Sequence, residues 1–203
     1  PTSAPMTWPE TWTGSGRRVA IFSSGSDILA LATRVPGVYG ESSNGRAAPR
    51  FYIRGLGNTD FDLAASQPVS IIMDDIVMEN VALKSTPVFD LERVEVYRGP
   101  QGTLFGRNTT GGIIRFTSAK PTEEFDARAQ PSSGSYGTFT FDGAFGGEIL
   151  PNLYGRASLL VQRRDDWIDD TNVTGENNLG EYAEIAGRVQ LLYKPTENLD
   201  ILL

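Results

Sequence analysis

The chain has 203 residues, a formal net charge of −7, and neither cysteine nor histidine. This acidic balance argues against a nucleic-acid-binding protein, which usually carries a basic face. Without cysteine there is no disulfide framework or thiolate metal site, and without histidine there is no Ser-His-Asp or Cys-His catalytic site. The mean hydropathy of −0.24 suits a soluble protein and a membrane β-barrel equally, because only alternate residues of a barrel strand meet lipid.

The first half of the chain, to about residue 121, mixes short helical and extended patterns. Residues 1–26 are rich in Pro, Ser, Thr and Gly, so we predict a flexible N-terminal segment. Apolar residues on one side predict a short helix over 27–34, which Pro36-Gly37 ends. The predicted strands of this half are FYIRG (51–55), VSIIM (69–73), RVEVYR (93–98) and GIIRFTS (112–118).

The connections between these strands carry their own signals. Asp74-Asp75 lies between SIIM and IVME and is predicted to be the two-residue turn of a hairpin. VFDLE (88–92) is predicted to form a helical turn. PQGTLFG (100–106) is predicted to form a short turn or helix with proline at its first position.

From residue 124 onward the pattern changes to long period-2 alternation. In the runs around 139–145, 153–161 and 185–193, apolar residues and glycine take the odd positions, and polar or charged residues take most even positions. We predict strands near 124–131, 137–148, 153–164 and 182–194, and a fifth that begins at 199. Each is about ten residues long, which is the length of a tilted membrane strand.

The connections between these later strands alternate in length. Pro151-Asn152 and the segment 195–198 are tight turns, whereas 165–181 is a long polar link. Short turns on one side and long loops on the other are typical of outer-membrane barrels. A soluble antiparallel sandwich also alternates, so the pattern leaves both architectures open.

Acidic residues suggest two further kinds of site. The pairs Asp74/Asp75, Asp165/Asp166 and Asp169/Asp170 could indicate a glycoside hydrolase, but adjacent carboxylates rarely oppose each other across a substrate. A calcium-loop spacing is matched in the long polar link, where a solvated loop is the default interpretation and no metal is predicted. The residues at that spacing are Asp170, Asn172, Thr174, Glu176, Asn178 and Glu181.

The segment LERVEVYRGPQGTLFGRNTTGG (91–112) resembles the plug-domain signature of TonB-dependent outer-membrane receptors at nearly every position. VPGV (35–38), FYIRGLG (51–57) and VSIIMDDIVME (69–79) are similar to other plug elements and follow the family's order. The family's hairpin usually has Asp-Gly where this chain has Asp-Asp. The segment that resembles the TonB box, where the energy-coupling protein binds, consists of Glu10, Thr11, Trp12 and Thr13.

The resemblance implies an α+β plug domain followed by antiparallel strands of a transmembrane β-barrel. Residues 1–121 would form the plug and residues 122–203 the first strands, as a fragment of a 22-stranded barrel. The implied function is energy-coupled uptake of a scarce nutrient across the bacterial outer membrane, without covalent chemistry or a cofactor. The cargo would be a ferric siderophore, or otherwise cobalamin or an oligosaccharide. The implied partners are TonB, outer-membrane lipid and a small-molecule or metal-chelate ligand, with no nucleic acid.

The resemblance also implies roles for particular residues. Arg54 and Arg98 match the plug arginines that pair with carboxylates of the barrel wall. Ligand-facing plug apices would include Asn58, Asp60, Asp74 and Asp75. The compact turns of the signature would require Gly99, Pro100, Gly102, Gly106, Gly111 and Gly112.

Two rival functions remain at this point. The chain could be a freestanding surface-binding or adhesion module that reuses plug-like sequence, and a weaker alternative is a glycoside hydrolase. Recovery of the parent protein in outer-membrane fractions would favour the receptor over the adhesion module. Sugar cleavage by the chain would favour the enzyme.

Overall fold

The structure, a computed structural model, divides into two compact units between Ala119 and Lys120. No helix among the described residues is long and apolar enough to cross a membrane. The described residues are 28–33, 35–42, 47–58, 60, 65–80, 83–168 and 179–203.

The first unit contains two small sheets. Its elements in chain order are a 3-10 helix at Ile28–Thr33, β1 (Val38–Glu41), β2 (Arg50–Ile53), β3 (Val69–Met73), β4 (Ile76–Val77), a 3-10 helix at Leu83–Ser85, β5 (Leu91–Arg98), α1 (Gly102–Phe105) and β6 (Gly112–Ser118). Strands β1 and β2 pair antiparallel. The other four form a sheet in the order β4-β3-β6-β5, in which β3 and β6 are parallel and the other pairs antiparallel.

A hydrophobic core holds the first unit together. Both faces of β6 are buried, and the side chains of Ile114 and Phe116 have no exposed surface. Such continuous burial is typical of a central strand with neighbours on both sides. The other buried members of the core are Ile28, Leu31, Val35, Val38, Phe51, Ile53, Val69, Ile71, Val88, Val94 and Val96.

The β3–β4 hairpin turns at the predicted pair. Asp74 and Asp75 have φ angles of 46° and 70°, and Met73 pairs with Ile76 across the turn. Two consecutive positive φ angles are the signature of a type I′ turn, whose twist matches that of the flanking strands. Aspartate tolerates this region better than most residues, which explains how the turn forms without the usual Asp-Gly.

Two local predictions need correction, and a third is made more specific. Residues 88–92 form no helical turn, because Asp90 adopts a φ of 49° and Leu91 already begins β5, opposite Ser118 of β6. Pro100 does not open the short helix, since Gln101 caps α1 and the helix begins at Gly102. The helix predicted over 27–34 is a 3-10 helix within the described residues, at Ile28–Thr33.

The second unit is an antiparallel meander of five strands. They are β7 (Asp126–Ser133), β8 (Phe139–Leu150), β9 (Leu153–Arg164), β10 (Tyr182–Thr196) and β11 (Leu199–Leu202), paired in chain order. The predicted bounds of β9 are correct. Strands β7 and β8 each start and end two residues later than predicted, and β10 runs two residues further, to a bulge between Tyr193 and Thr196.

The strands of this meander have two chemically different faces. We call the side chains at odd positions of β7–β11 the odd face and those at even positions the even face. Phe145, Ile185 and Val189 of the odd face are 59%, 77% and 74% exposed. On the even face, Arg156, Ser158 and Gln162 are buried. The predicted alternation is therefore present, with its apolar side exposed.

Candidate functional site

The signature segment 98–112 is a closed loop between β5 and β6. Gly99 N–H donates to Gly111 O at 3.1 Å, and Gln101 N–H donates to Thr109 O at 3.0 Å. Further inside, the Thr109 hydroxyl donates to Gly106 O at 2.7 Å. These bonds close the loop on itself, and a bond from Gly111 N–H to Pro68 O at 2.8 Å attaches it to the start of β3, so the loop is held as a rigid element.

Gly112 shows why the signature needs glycine at its end. Its φ is 140°, and a Cβ there would lie 2.3 Å from the carbonyl oxygen of Tyr97 on β5. That contact is with backbone, so it cannot be relieved by a side-chain rotation. Glycine at this position therefore permits β5 and β6 to pair up to the loop.

The two predicted arginines meet at the turn formed by Pro36 and Gly37. Arg98 donates from Nη2 to Pro36 O at 2.8 Å. The backbone N–H of Arg54 donates to Gly37 O at 2.9 Å, and Arg54 has a φ of 53° just after the end of β2. The Arg54 side chain is exposed and has no ion pair within the part of the chain that the structure describes.

A cleft of about 520 Å³ opens beside Arg54. The rings of Tyr39 and Tyr52 lie 5.6 Å apart at 53°, and the Tyr52 hydroxyl donates to Glu41 Oε1 at 2.5 Å. Burial and then the Glu41 carboxylate raise the pKa of Tyr52 to about 12. The cleft thus combines an aromatic wall, a carboxylate and a guanidinium. Its lining residues are Gly37, Val38, Tyr39, Glu41, Tyr52, Arg54 and Gly55.

Asn58 and Asp60 lie close to this cleft. The side-chain oxygen of Asn58 accepts from the backbone N–H of Asp60 at 2.9 Å, and its amide donates to Ser66 O at 2.7 Å. The Tyr52 hydroxyl also lies 3.3 Å from the carbonyl oxygen of Asn58. Asn58 therefore bonds to both Asp60 and Ser66, next to the aromatic pair.

Asp74 and Asp75 lie at the other end of β3. The five residues Val69–Met73 separate that turn from the Ser66 end of the strand, a distance of about 15 Å at the usual rise of a strand. The structure therefore places Asn58 beside Tyr52 of the cleft and the aspartate pair at the other end of β3.

Asp74 ties its turn to the end of β6. Its carboxylate accepts from the backbone N–H of Ser118 at 2.7 Å and from the Ser118 hydroxyl at 2.6 Å. The backbone N–H of Asp74 donates to Phe116 O at 3.1 Å. These contacts hold the point at which the chain leaves the first unit.

Ion pairs that the sequence analysis missed cross the same sheet. Arg115 of β6 pairs with Glu95 of β5 and with Asp75 of the turn, and Arg93 also lies 3.5 Å from Glu95. The sequence signal for these ion pairs was Arg115, a charged residue inside the otherwise apolar run IIRF. Alternation in RVEVYR then makes Glu95 the cross-strand neighbour of Arg115, once the antiparallel pairing is known.

A second missed contact joins the signature loop to the segment after β4. Arg107 donates from Nε and Nη2 to the two carboxylate oxygens of Glu79, at 3.1 and 2.9 Å. The hydrogen bonds from Arg107 lower the pKa of Glu79. Both side chains are exposed, so this two-bond ion pair adds little to the stability of the fold. Its main effect is to position the signature loop.

Two candidate sites lie outside the described residues. They are the TonB-box segment of Glu10, Thr11, Trp12 and Thr13, and the calcium-spaced residues Asp170, Asn172, Thr174 and Glu176. Glu181, the last residue of that spacing, is described and exposed. Across the described ranges there is no cluster of three or more acidic residues that could hold a metal ion.

Comparison with known proteins decides the family. A sequence profile described as the TonB-dependent Receptor Plug Domain matches residues 23–113, which include β1 to β5, α1 and the closed signature loop. The chain belongs to the TonB-dependent receptors. The resemblance carried by residues 91–112 is thereby confirmed.

Relatives of this TonB-dependent receptor chain agree with that assignment. The pesticin receptor of Yersinia pestis is 29% identical over 164 residues, which make up 75% of this chain and 24% of that receptor. The catecholate siderophore receptor Fiu of Escherichia coli strain K12 is 32% identical over 167 residues, 80% of this chain and 18% of Fiu. The chain thus spans about a quarter or less of these relatives' length.

A solved structure confirms the fold. The ferric yersiniabactin uptake receptor FyuA from Yersinia pestis matches with a TM-score of 0.80 at 24% identity, over 97% of this chain and 29% of FyuA. The predicted fold class, a plug domain followed by antiparallel barrel strands, is therefore confirmed for this receptor chain.

Proposed function

We propose that the chain forms part of a receptor in the bacterial outer membrane that takes up a scarce nutrient, with a ferric siderophore as cargo. The observation that carries this proposal is the succession of two units in one chain. A plug unit with the closed loop 98–112 is followed by five strands whose odd face is apolar and exposed. Such a face suits hydrocarbon, and a plug suits the lumen of a barrel.

The cargo is proposed from the relatives. Fiu, which is 32% identical, is named as a receptor for a catecholate siderophore. Cobalamin and oligosaccharides are the other cargoes to test. The proposed role is binding and transport without covalent chemistry, powered through TonB, with residues 1–121 as the plug and 122–203 as the opening barrel strands.

Individual residues receive roles under this proposal. Arg54 and Arg98 pair with carboxylates of the barrel wall and keep the plug in register. Asn58 and Asp60, beside the cleft of Tyr52, contact the ligand. Asp74 and Asp75 were candidates for the same contact, but Asp74 is already engaged by Ser118 at the other end of β3, so we give them the lower priority.

The test is iron uptake by cells that lack the gene. We expect the complete protein in the outer-membrane fraction, and we expect loss of labelled ferric-siderophore uptake on deletion. Complementation with Arg98→Gln should restore the protein level but not full uptake, whereas Arg93→Gln, an exposed change on the same strand, should restore both. Loss of cobalamin uptake instead would keep the receptor and change the cargo. Recovery in the soluble fraction would refute the receptor and favour an adhesion module.

A further inference from the structure

The odd face of the meander carries a single charge. Arg163 is the one charged residue at an odd position of β7–β11, all of which the structure describes. The other odd positions hold alanine, glycine, proline, serine, tyrosine or larger apolar residues. The remaining charged residues of these strands lie on the even face: Asp126, Arg128, Asp142, Glu148, Arg156, Arg164, Glu184, Arg188, Lys194 and Asp200.

Arg163 lies at one end of its strand and not in the middle of the face. It pairs with Phe139, the first residue of β8, and with Ala183, the second residue of β10. This end of the meander borders the long link 165–181, whereas the opposite end has the two-residue turn at Pro151-Asn152. In outer-membrane barrels the longer connections are extracellular, so Arg163 lies at the extracellular boundary of the apolar face.

No carboxylate of the described chain neutralises Arg163. The side chain is exposed and forms no ion pair there, in contrast to Arg156, which pairs with Asp126 across the even face at 3.2 Å. Trp167, four residues on and 52% exposed, is an aromatic residue of the kind that marks the membrane interface. An arginine at that depth reaches the head-group layer by extending its side chain.

We propose that Arg163 binds a phosphate group on the head group of a lipid in the extracellular leaflet. The inference rests on the proposed function, because it needs the odd face to lie in the membrane. A guanidinium fits a phosphate through two parallel hydrogen bonds, and a lipid supplies the anion that the odd face lacks. The acyl chains of the same lipid would cover the apolar rows below, beginning with Phe141, Val161 and Ile185.

Lipid titration of the complete protein in detergent tests this site. The probes are diphosphorylated lipid A and the same lipid with its phosphates removed, and bound lipid is counted by native mass spectrometry. We expect Arg163→Gln to weaken binding of the phosphorylated lipid about fivefold, which corresponds to about 1 kcal/mol. Arg163→Lys should retain binding, and Arg188→Gln, a control on the even face, should leave it unchanged.

The phosphate-free lipid should bind all four proteins equally. Equal binding of phosphorylated lipid by wild type and Arg163→Gln would overturn the inference, and so would an equal loss of both lipids. A second experiment uses only the wild-type protein, so its result does not depend on whether a variant folds. Phosphorylated lipid should protect Arg163 from phenylglyoxal modification, and absence of protection would refute the site. If the complete protein proved water-soluble, both this inference and the proposed function would be refuted. A negative result in the lipid experiments alone would refute only the site at Arg163.

Discussion

The two units of this receptor chain obey different rules. In the plug unit, Ile114 and Phe116 lie two positions apart on one face of β6, and both side chains are fully buried. Ile113, on the other face, is also fully buried. In the meander, more exposed and more shielded residues alternate along most of β10 and the second half of β9, so position parity predicts the environment there. The plug is therefore specified by particular tertiary contacts and the meander by a period of two.

Two glycines, one in each unit, have very different surroundings. A Cβ on Gly112 of the plug would meet the backbone of Tyr97 at 2.3 Å, whereas a Cβ on Gly187 of β10 would have no atom nearer than 3.7 Å. One glycine is required by a close backbone approach, and the other lies on an open strand surface. An identical substitution at the two positions therefore compares a close backbone approach with an open strand surface.

The largest effect is expected from Gly112→Ala. It should destabilise the plug unit by about 4 kcal/mol, because it combines a backbone clash with a φ of 140° that alanine rarely adopts. Hydrogen exchange in the complete protein, followed by mass spectrometry on peptides from β5 and β6, would report faster exchange. Gly187→Ala is the matched control, and it should change stability by less than about 0.5 kcal/mol. Equal effects of the two changes would contradict the close backbone approach at Gly112.

A charge on the odd face tests the meander in turn. Val189 is 74% exposed at the centre of β10, and Val189→Arg should destabilise the membrane-inserted protein by about 3 kcal/mol. Gln190→Arg places the same charge on the even face and should cost much less. The measurement is reversible folding into lipid vesicles. If Val189→Arg were neutral, the odd face would be in contact with water, as expected for an exposed valine of a soluble sheet.

The sequence was sufficient to predict the meander but not the details of the plug. Alternation alone placed β9 correctly, and the shifts in β7 and β8 arose where Pro131 and the glycines near residue 134 blur the turn. Leu91 looked helical locally, yet it pairs with Ser118 of β6, and this pairing decides its conformation.

The candidate site was predicted unevenly for the same reason. Arg54 and Arg98 were found by motif, but their common contact with the Pro36-Gly37 turn was not, since residues 36 and 98 are 62 positions apart. The bond from Ser118 to Asp74 spans 44 positions. Local sequence patterns carry no information about such distant pairs. By contrast, Arg163, the lone charge on the odd face, could have been found in the sequence by inspecting the odd positions of the predicted strands.

Asp74→Ala should have an intermediate effect on the plug. The change removes a carboxylate that accepts two hydrogen bonds from Ser118, and it leaves alanine at a φ of 46°, so we expect a loss of about 2 kcal/mol. Asp74→Asn keeps one acceptor oxygen and tolerates the positive φ, and it should lose less. Exchange of peptides that cover the β3–β4 hairpin and the end of β6 would measure both. Identical exchange in wild type and Asp74→Ala would show that the turn holds without its carboxylate.

The smallest effect is expected at Tyr52. Tyr52→Phe removes the hydroxyl that donates to Glu41, and it should cost the plug about 1 kcal/mol at neutral pH. Because the folded state raises the pKa of this phenol from 10 to about 12, the stabilisation is complete below pH 10 and is lost as the pH rises towards 12. The stability difference between wild type and variant should therefore narrow over that interval. The measurement is the tyrosinate absorbance of the wild type minus that of the variant, which should reveal one phenol that ionises near pH 12. A midpoint near pH 10 would mean that Tyr52 is neither buried nor bonded to Glu41.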